Sequence, residues 1–217
     1  MPVYMDNQST TRVDPRVVAS MLPHFETQYG NAGSVTHAFG LAAKQAVDVA
    51  RQSIARESGI RPHELIFTSG ATESNNLALA GFIEFAQRKT ASPHVVSLRT
   101  EHRAILDPLR RLTRRGVDVT LLPVRSNGAH DAGCVDMDVL VDALRDNTVL
   151  VSVMWANNEM GVVQPMREIV DVCHARGIAV HTDATQAVGK VAIDLVGVPV
   201  DLMSFSAHKF YGPKGIG

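Results

Sequence analysis

HVVSLRTEHRAILDPLRRLTRRGVDVTLLPV, residues 94–124, is the stretch from which the fold is read. A short apolar run at 94–98 gives way to helical spacing over 102–114, and a second β-rich run follows at 117–124. The same alternation extends in both directions. Upstream, a run at 64–68 precedes a helical segment at 72–89; downstream come 137–145 (helix), 149–155 (strand), 166–176 (helix) and 178–182 (strand). Strands separated by helices need crossover connections, so the sheet is expected to be mainly parallel. His-Val-Val-Ser-Leu and Val-Leu-Val-Ser-Val-Met are nearly continuous apolar runs, as strands covered on both faces require. The fold class is therefore α/β, a three-layer α/β/α arrangement. Leu41, Ala42, Ala46, Val49 and Ile54 give residues 37–57 an amphipathic helical pattern ahead of the first strand.

The chain has 217 residues, of which 45% are hydrophobic and 20% charged, enough for one sizeable core in a single globular domain. Disordered and collagen-like classes are excluded. A formal net charge of −1 with both signs scattered offers no basic stripe for nucleic acid and no polybasic arm for lipid. The start, Met1-Pro2-Val3-Tyr4-Met5-Asp6-Asn7, has neither a charged n-region nor an apolar h-region, and no run is long enough to span a bilayer. Cys134 and Cys173 are too few for a disulfide framework, so the expected compartment is the reducing cytoplasm. Residues 1–14 read as an arm and 15–217 as one domain. Tyr211-Gly212-Pro213-Lys214-Gly215-Ile216-Gly217 reads as a turn entering a further strand, so the domain is expected to be incomplete at its C-terminus.

In open parallel sheets ligands sit beyond the carboxyl ends of the strands, and polar residues cluster at those places here. Thr68-Ser69-Gly70-Ala71-Thr72-Glu73 follows a strand and opens a helix, presenting free N–H groups suited to phosphate, although an ordinary helix cap reads the same way. Asp183 ends a strand, where it can pair with a pyridinium nitrogen or merely cap a turn. Ser204-Phe205-Ser206-Ala207-His208-Lys209 brings hydroxyl, imidazole and amine to one turn. A lysine that bonds an aldehyde must be able to lose its charge, which burial and a nearby cation promote; a solvated surface lysine is the plain alternative. His102 suits stacking on a flat ring or a helix cap, and Asn157-Asn158-Glu159-Met160-Gly161 suits a ligand contact or a tight turn. Residues 127–136 form a long connection whose His130, Asp131 and Cys134 raise a metal site, against which a surface loop is the preferred reading.

Taken together, Tyr4-Met5-Asp6-Asn7-Gln8-Ser9-Thr10-Thr11, Gly30-Asn31-Ala32-Gly33-Ser34, Phe67-Thr68-Ser69-Gly70-Ala71-Thr72-Glu73-Ser74-Asn75, Asn157-Asn158-Glu159-Met160-Gly161-Val162-Val163-Gln164, Asp183-Ala184-Thr185-Gln186 and Ser204-Phe205-Ser206-Ala207-His208-Lys209 resemble the cysteine desulfurases, the NifS/IscS-like branch of the class V aminotransferases. The resemblance runs the length of the chain. It implies the large domain of a fold type I enzyme that uses pyridoxal 5′-phosphate (PLP). Lys209 would bond the cofactor and His102 would stack on its ring. Asp183 would pair with the ring nitrogen and Gln186 with the ring hydroxyl. Gly70, Ala71, Thr72, Ser206 and His208 would surround the phosphate. Asn158 would lie beside the ring where substrate enters, and Asn31 with the 6–11 arm would line the approach.

The implied reaction takes sulfur from L-cysteine, leaving L-alanine and an enzyme persulfide for iron–sulfur cluster assembly or other sulfur transfer. The family's persulfide cysteine and its substrate-carboxylate arginine correspond to positions after Gly217, so a polypeptide supplying that C-terminal half is expected as a partner. A homodimer and a scaffold or other sulfur-acceptor protein are expected as well. Three alternatives stand beside this reading. They are a non-catalytic binding or assembly protein of the same fold, a selenocysteine lyase or other class V enzyme, and a nucleotide-binding α/β domain in which Lys209 has no part. No metal is expected.

Overall fold

The computed structural model describes residues 2–126, 128 and 130–217. Asn127 and Ala129, part of the long connection weighed above as a metal site, lie outside the described residues. Helices α1 (Pro15–Glu26), α2 (Ala38–Ser58) and α3 (Ala71–Ala86) come first. There follow β1 (His94–Leu98), α4 (Arg103–Thr113), β2 (Asp118–Leu122), α5 (Met137–Ala143), β3 (Thr148–Ser152), α6 (Met166–His174), β4 (Ala179–Asp183) and β5 (Leu202–Ser204). The five strands lie in the order β2-β1-β3-β4-β5, and every pairing is parallel.

Period-two alternation along the strands builds the three layers. Val95 and Leu150 face one side, where they pack with Leu79 and Ile83 of α3 and Ile105 and Leu109 of α4. Val96, Leu98, Val151 and Val180 face the other, against Leu140 of α5 and Ile169 and Val170 of α6. Both faces of the central strands are thus dry, which is why their sequences run apolar without interruption.

Helix starts follow from local chemistry. Asp14 caps α1, accepting from the Arg16 N–H at 2.8 Å with Pro15 at the first helical position. Asp136 caps α5, accepting from the Asp138 N–H at 3.0 Å. Because α5 is only 7 residues long, Asp136→Ala is expected to destabilise the chain by about 1 kcal/mol. Thermal melting should register this as a fall of roughly 2–4 °C for a chain of this size.

One expected strand does not form. Residues 65–68 lie outside any strand; among the described residues their strand-like pairing is that of Thr68 with Gly217, which exchange N–H···O bonds of 2.8 and 3.0 Å. A single paired residue makes no ladder, so β propensity at Leu65-Ile66-Phe67 has nothing to act on. An apolar groove of about 1160 Å³, lined in part by Ile66, Phe67, Leu202 and Met203, separates this segment from β5.

Chain order reverses between β1 and β3: from β1 the chain steps outward to β2, and from β3 it proceeds through β4 to β5. The crevice above that reversal, at the carboxyl ends of the strands, is where an open α/β sheet offers a ligand site.

Candidate functional site

A cavity of about 680 Å³ opens at that crevice. Its lining includes Gly70, Ala71, Thr72, His102, Asn158, Asp183, Gln186, Ser206, His208 and Lys209. Segments far apart in sequence converge here because each follows the carboxyl end of a strand or opens a helix. Asn31 is not part of the lining; its side chain turns back to accept from the Gly33 N–H at 2.8 Å, which is turn chemistry.

The start of α3 is built to leave donors free. The Ser74 N–H is the first helical donor, bonding to the Gly70 carbonyl at 3.0 Å, so the N–H groups of Ala71 and Thr72 before it have no helical acceptor. Gly70 has φ +147°, a conformation that favours glycine, and a Cβ there would stand 3.8 Å from Ser206 Oγ. The helix start and the 206–209 turn therefore face the same place. Glu73 lines the same cavity, and its carboxylate accepts from both the N–H and the hydroxyl of Ser69 at 2.6 Å.

Asp183 ends β4 and is buried, with both oxygens engaged. Oδ2 accepts from Asn75 Nδ2 at 2.7 Å and Oδ1 from the Thr185 N–H at 3.0 Å. Beneath it, His181 lies 2.9 Å from Ser152 Oγ and 3.1 Å from Ser204 Oγ, tying β3, β4 and β5 together. Burial pulls the His181 pKa down to about 4, so the imidazole is neutral.

Lys209 Nζ donates to the carbonyls of Gln8 (2.7 Å) and Ser9 (2.8 Å). Burial lowers its pKa, the charge of Lys190 lowers it further, and Asp183 and Asp6 act in the opposite sense. The residue 8–14 segment is fastened alongside: the Thr11 N–H bonds to the His208 carbonyl at 2.9 Å, Thr10 Oγ1 lies 3.0 Å from His208 Nδ1, and Gln186 Nε2 donates to the Gln8 carbonyl at 2.8 Å. His102 caps α4, its Nδ1 accepting from the Ala104 N–H at 3.0 Å, which leaves Nε2 to carry the proton.

The donor set fits PLP. A phosphate needs clustered donors, met by the Ala71 and Thr72 N–H groups, His208 and Lys214, while the Ser206 hydroxyl in the same lining donates to the Ile216 carbonyl at 3.1 Å. A protonated ring nitrogen needs a buried carboxylate and an aldehyde needs an amine of lowered pKa; Asp183 and Lys209 have these properties. Thr185, which also lines the cavity, has a buried hydroxyl with no protein partner among the described residues, so the cavity holds a polar atom awaiting a ligand.

Sequence reasoning singled out neither Asn75 nor Lys214 nor Thr185 as a site residue. Asn75 carried a signal, since asparagine in a helix interior is disfavoured unless its side chain has work to do. Neither cysteine lines the cavity. Cys173 is buried in α6 with its thiol pushed up to about 12 by burial, and burial also raises the pKa of Cys134. Among the described residues no group of three or more His, Cys, Asp and Glu side chains is arranged to hold a metal, and Asp131 instead pairs with Arg125 at 2.6 Å. No described helix is long and apolar enough to cross a membrane.

The family profile "Aminotransferase class-V" matches residues 3–217. The cysteine desulfurase IscS of Salmonella arizonae is 50% identical over 219 residues, covering 100% of this chain and 52% of that protein. Its counterpart in Rickettsia bellii is 48% identical over 217 residues, covering 100% and 51%. Among solved structures, a NifS-like protein superposes with a TM-score of 0.94 at 38% identity, covering 100% of this chain and 58% of the other. A structure described as SspA in complex with cysteine gives 0.92 at 36% identity, covering 100% and 60%. The chain thus spans about half the length of the curated relatives it matches.

Proposed function

The chain belongs to the class V aminotransferase family, and from that premise we propose that it is the PLP-binding part of a cysteine desulfurase, acting on L-cysteine to release L-alanine and pass on the sulfur. The observation that carries this reading is the meeting, in one cavity, of the Lys209 amine, the doubly held Asp183 carboxylate and the free N–H groups at the start of α3. The family's cofactor is PLP. When bound it supplies an electron sink for charge developing on the substrate's α-carbon.

The protein's own residues do the rest. Lys209, whose amine burial and Lys190 make easier to deprotonate, would give up the Gln8 and Ser9 carbonyls to bond the cofactor aldehyde with loss of water and could later move a proton. Asp183 would pair with the ring nitrogen. His102 and Gln186 line the cavity, where His102 would stack on the ring and Gln186, its carboxamide held by Gln8 and Lys190, would have to turn to meet the ring hydroxyl. Ala71, Thr72 and His208 would bind phosphate, with Ser206 joining them on release of the Ile216 carbonyl, and Asn158 would contact substrate beside the ring.

Residues 1–14 serve as an arm fastened to the 208–211 turn, and residues 15–217 form the PLP domain. Exposed Phe25, Tyr29, Phe39, Leu41 and Val49 offer apolar surface for a homodimer. Two free thiols favour the cytoplasm, and iron–sulfur scaffolds or other sulfur acceptors are the partners this chemistry serves.

Thr72→Val keeps the backbone N–H but removes the Thr72 hydroxyl, a second donor that the proposed phosphate site would use. It is expected to weaken cofactor retention about tenfold, the value of one hydrogen bond to a charged group, as measured by equilibrium dialysis of PLP. To test the activity, L-cysteine and a thiol reductant are supplied to the cofactor-loaded chain, alone and mixed with the separately produced C-terminal half of the Salmonella relative. Alanine formation that depends on Lys209 supports the desulfurase. Bound cofactor with no alanine in either mixture contradicts it and leaves the non-catalytic reading, and turnover of selenocysteine alone points to a lyase.

A further inference from the structure

Glu101 lies between β1 and the start of α4, directly before His102, and is 5% exposed. Its Oε1 accepts from the Met154 N–H at 2.8 Å, just past the end of β3. Its Oε2 is buried without a protein partner among the described residues, as is the hydroxyl of the neighbouring Thr100. A second tie runs beside the first, with Asn157 Nδ2 donating to the Thr100 carbonyl at 3.0 Å. The two turns so joined carry His102 on one side and Ala156 and Asn158 on the other, all lining the cavity.

A buried carboxylate with one oxygen unpaired and no cation against it is among the costliest arrangements a protein can hold. The same group carrying a proton costs far less. We propose that Glu101 is a positioning residue, its carboxyl protonated, that clamps the His102 turn to the Asn158 turn without setting a second negative charge beside Asp183. Burial drives its pKa well above the ordinary carboxylate range; the Met154 N–H works against this, and the charge of Asp183, at the end of β4, adds to it. Among the described residues no lysine or arginine acts on it to restore the charge. His102, on its own turn, is held by the bond from the Ala104 N–H to its Nδ1.

The value of the arrangement lies in Asp183. A second anion beside it would place unpaired like charge in the same buried region. An uncharged acid at 101 supplies the hydrogen bond to Met154 without adding that charge. The protonation and the clamp stand on this chain's geometry alone, whereas the benefit to cofactor binding rests on the reading proposed above.

The test follows from linkage. In the unfolded chain Glu101 ionises near its ordinary value of 4.5, while in the folded chain it stays protonated well above that. The folded state therefore loses stability relative to the unfolded state as pH rises from 4.5 towards the folded pKa. Glu101→Gln keeps the acceptor for Met154 and does not titrate. The melting temperature of this variant minus that of the parent, measured without cofactor, is expected to grow with pH across this window. A difference that stays flat or falls with pH would overturn the proposal.

Infrared spectroscopy of the parent gives a second readout. A protonated carboxyl band persisting at pH well above 4.5, and missing from Glu101→Gln, is expected, and its absence contradicts the proposal. In the loaded chain, Glu101→Ala should lower PLP retention and Glu101→Gln should restore most of it; equal loss in both overturns the clamp. A parent chain that takes up no PLP would remove the cofactor reading, while the melting and infrared results would still decide the state of Glu101.

Discussion

Lys209→Ala is expected to abolish covalent attachment of PLP, leaving at most a weakly held, dialysable cofactor. Lys209 brings an amine into the cavity under two influences that lower its pKa, burial and the charge of Lys190. Lys190 itself is more exposed and is engaged with Gln186, and Lys214 lies by the phosphate donors, so neither is placed to substitute. The variant should fold, since what Lys209 contributes to the rest of the protein is two bonds to the carbonyls of Gln8 and Ser9. The measurement is the visible absorbance of the bound cofactor after gel filtration, with circular dichroism as the check on folding. A folded Lys209→Ala chain that keeps the parent's absorbance would contradict the assignment.

Asp183→Ala is expected to weaken PLP retention by roughly a hundredfold to a few thousandfold, from the about 3–5 kcal/mol lost when one partner of a buried charge pair is removed. The loss has two sources. The ring nitrogen's partner disappears, and the Asn75 amide and the Thr185 N–H are left in a buried place with nothing to bond. Asp183→Asn separates charge from shape, because it fills the same volume but presents one acceptor oxygen and no charge. It should behave like the alanine variant in cofactor retention and better in thermal stability. Retention by Asp183→Asn equal to the parent's would show that the charge is not what holds the ring.

The central layers were legible because the sequence repeats their physics locally. Val95 and Val96 are both apolar since they face opposite helical layers, and adjacent apolar residues within a strand are what a sheet covered on both sides demands. Helix starts at Asp14 and Asp136 were within reach for the same reason, a cap being a contact over two or three residues. Residues 65–68 looked like strand because propensity cannot see whether a neighbour is present to pair with.

The site divides along the same line. Residues at strand ends converge because the topology brings all such ends to one edge, so Asp183, His102, Asn158 and Lys209 could be collected from the sequence without knowing any distance. The contact between Asn75 and Asp183 joins positions 108 apart, and the bond from Met154 to Glu101 joins positions 53 apart. Nothing local announces either, beyond a polar residue where helix or core would prefer an apolar one. Asn31 shows the reverse case: its motif fitted the resemblance, yet its side chain is spent on its own turn.

The most direct test of the cofactor assignment is denaturing intact mass of the chain after incubation with PLP and borohydride reduction, followed by a peptide map. One reduced PLP adduct per chain, located on Lys209, is the predicted result. No adduct, or an adduct on Lys190 or Lys214 in place of Lys209, would contradict it.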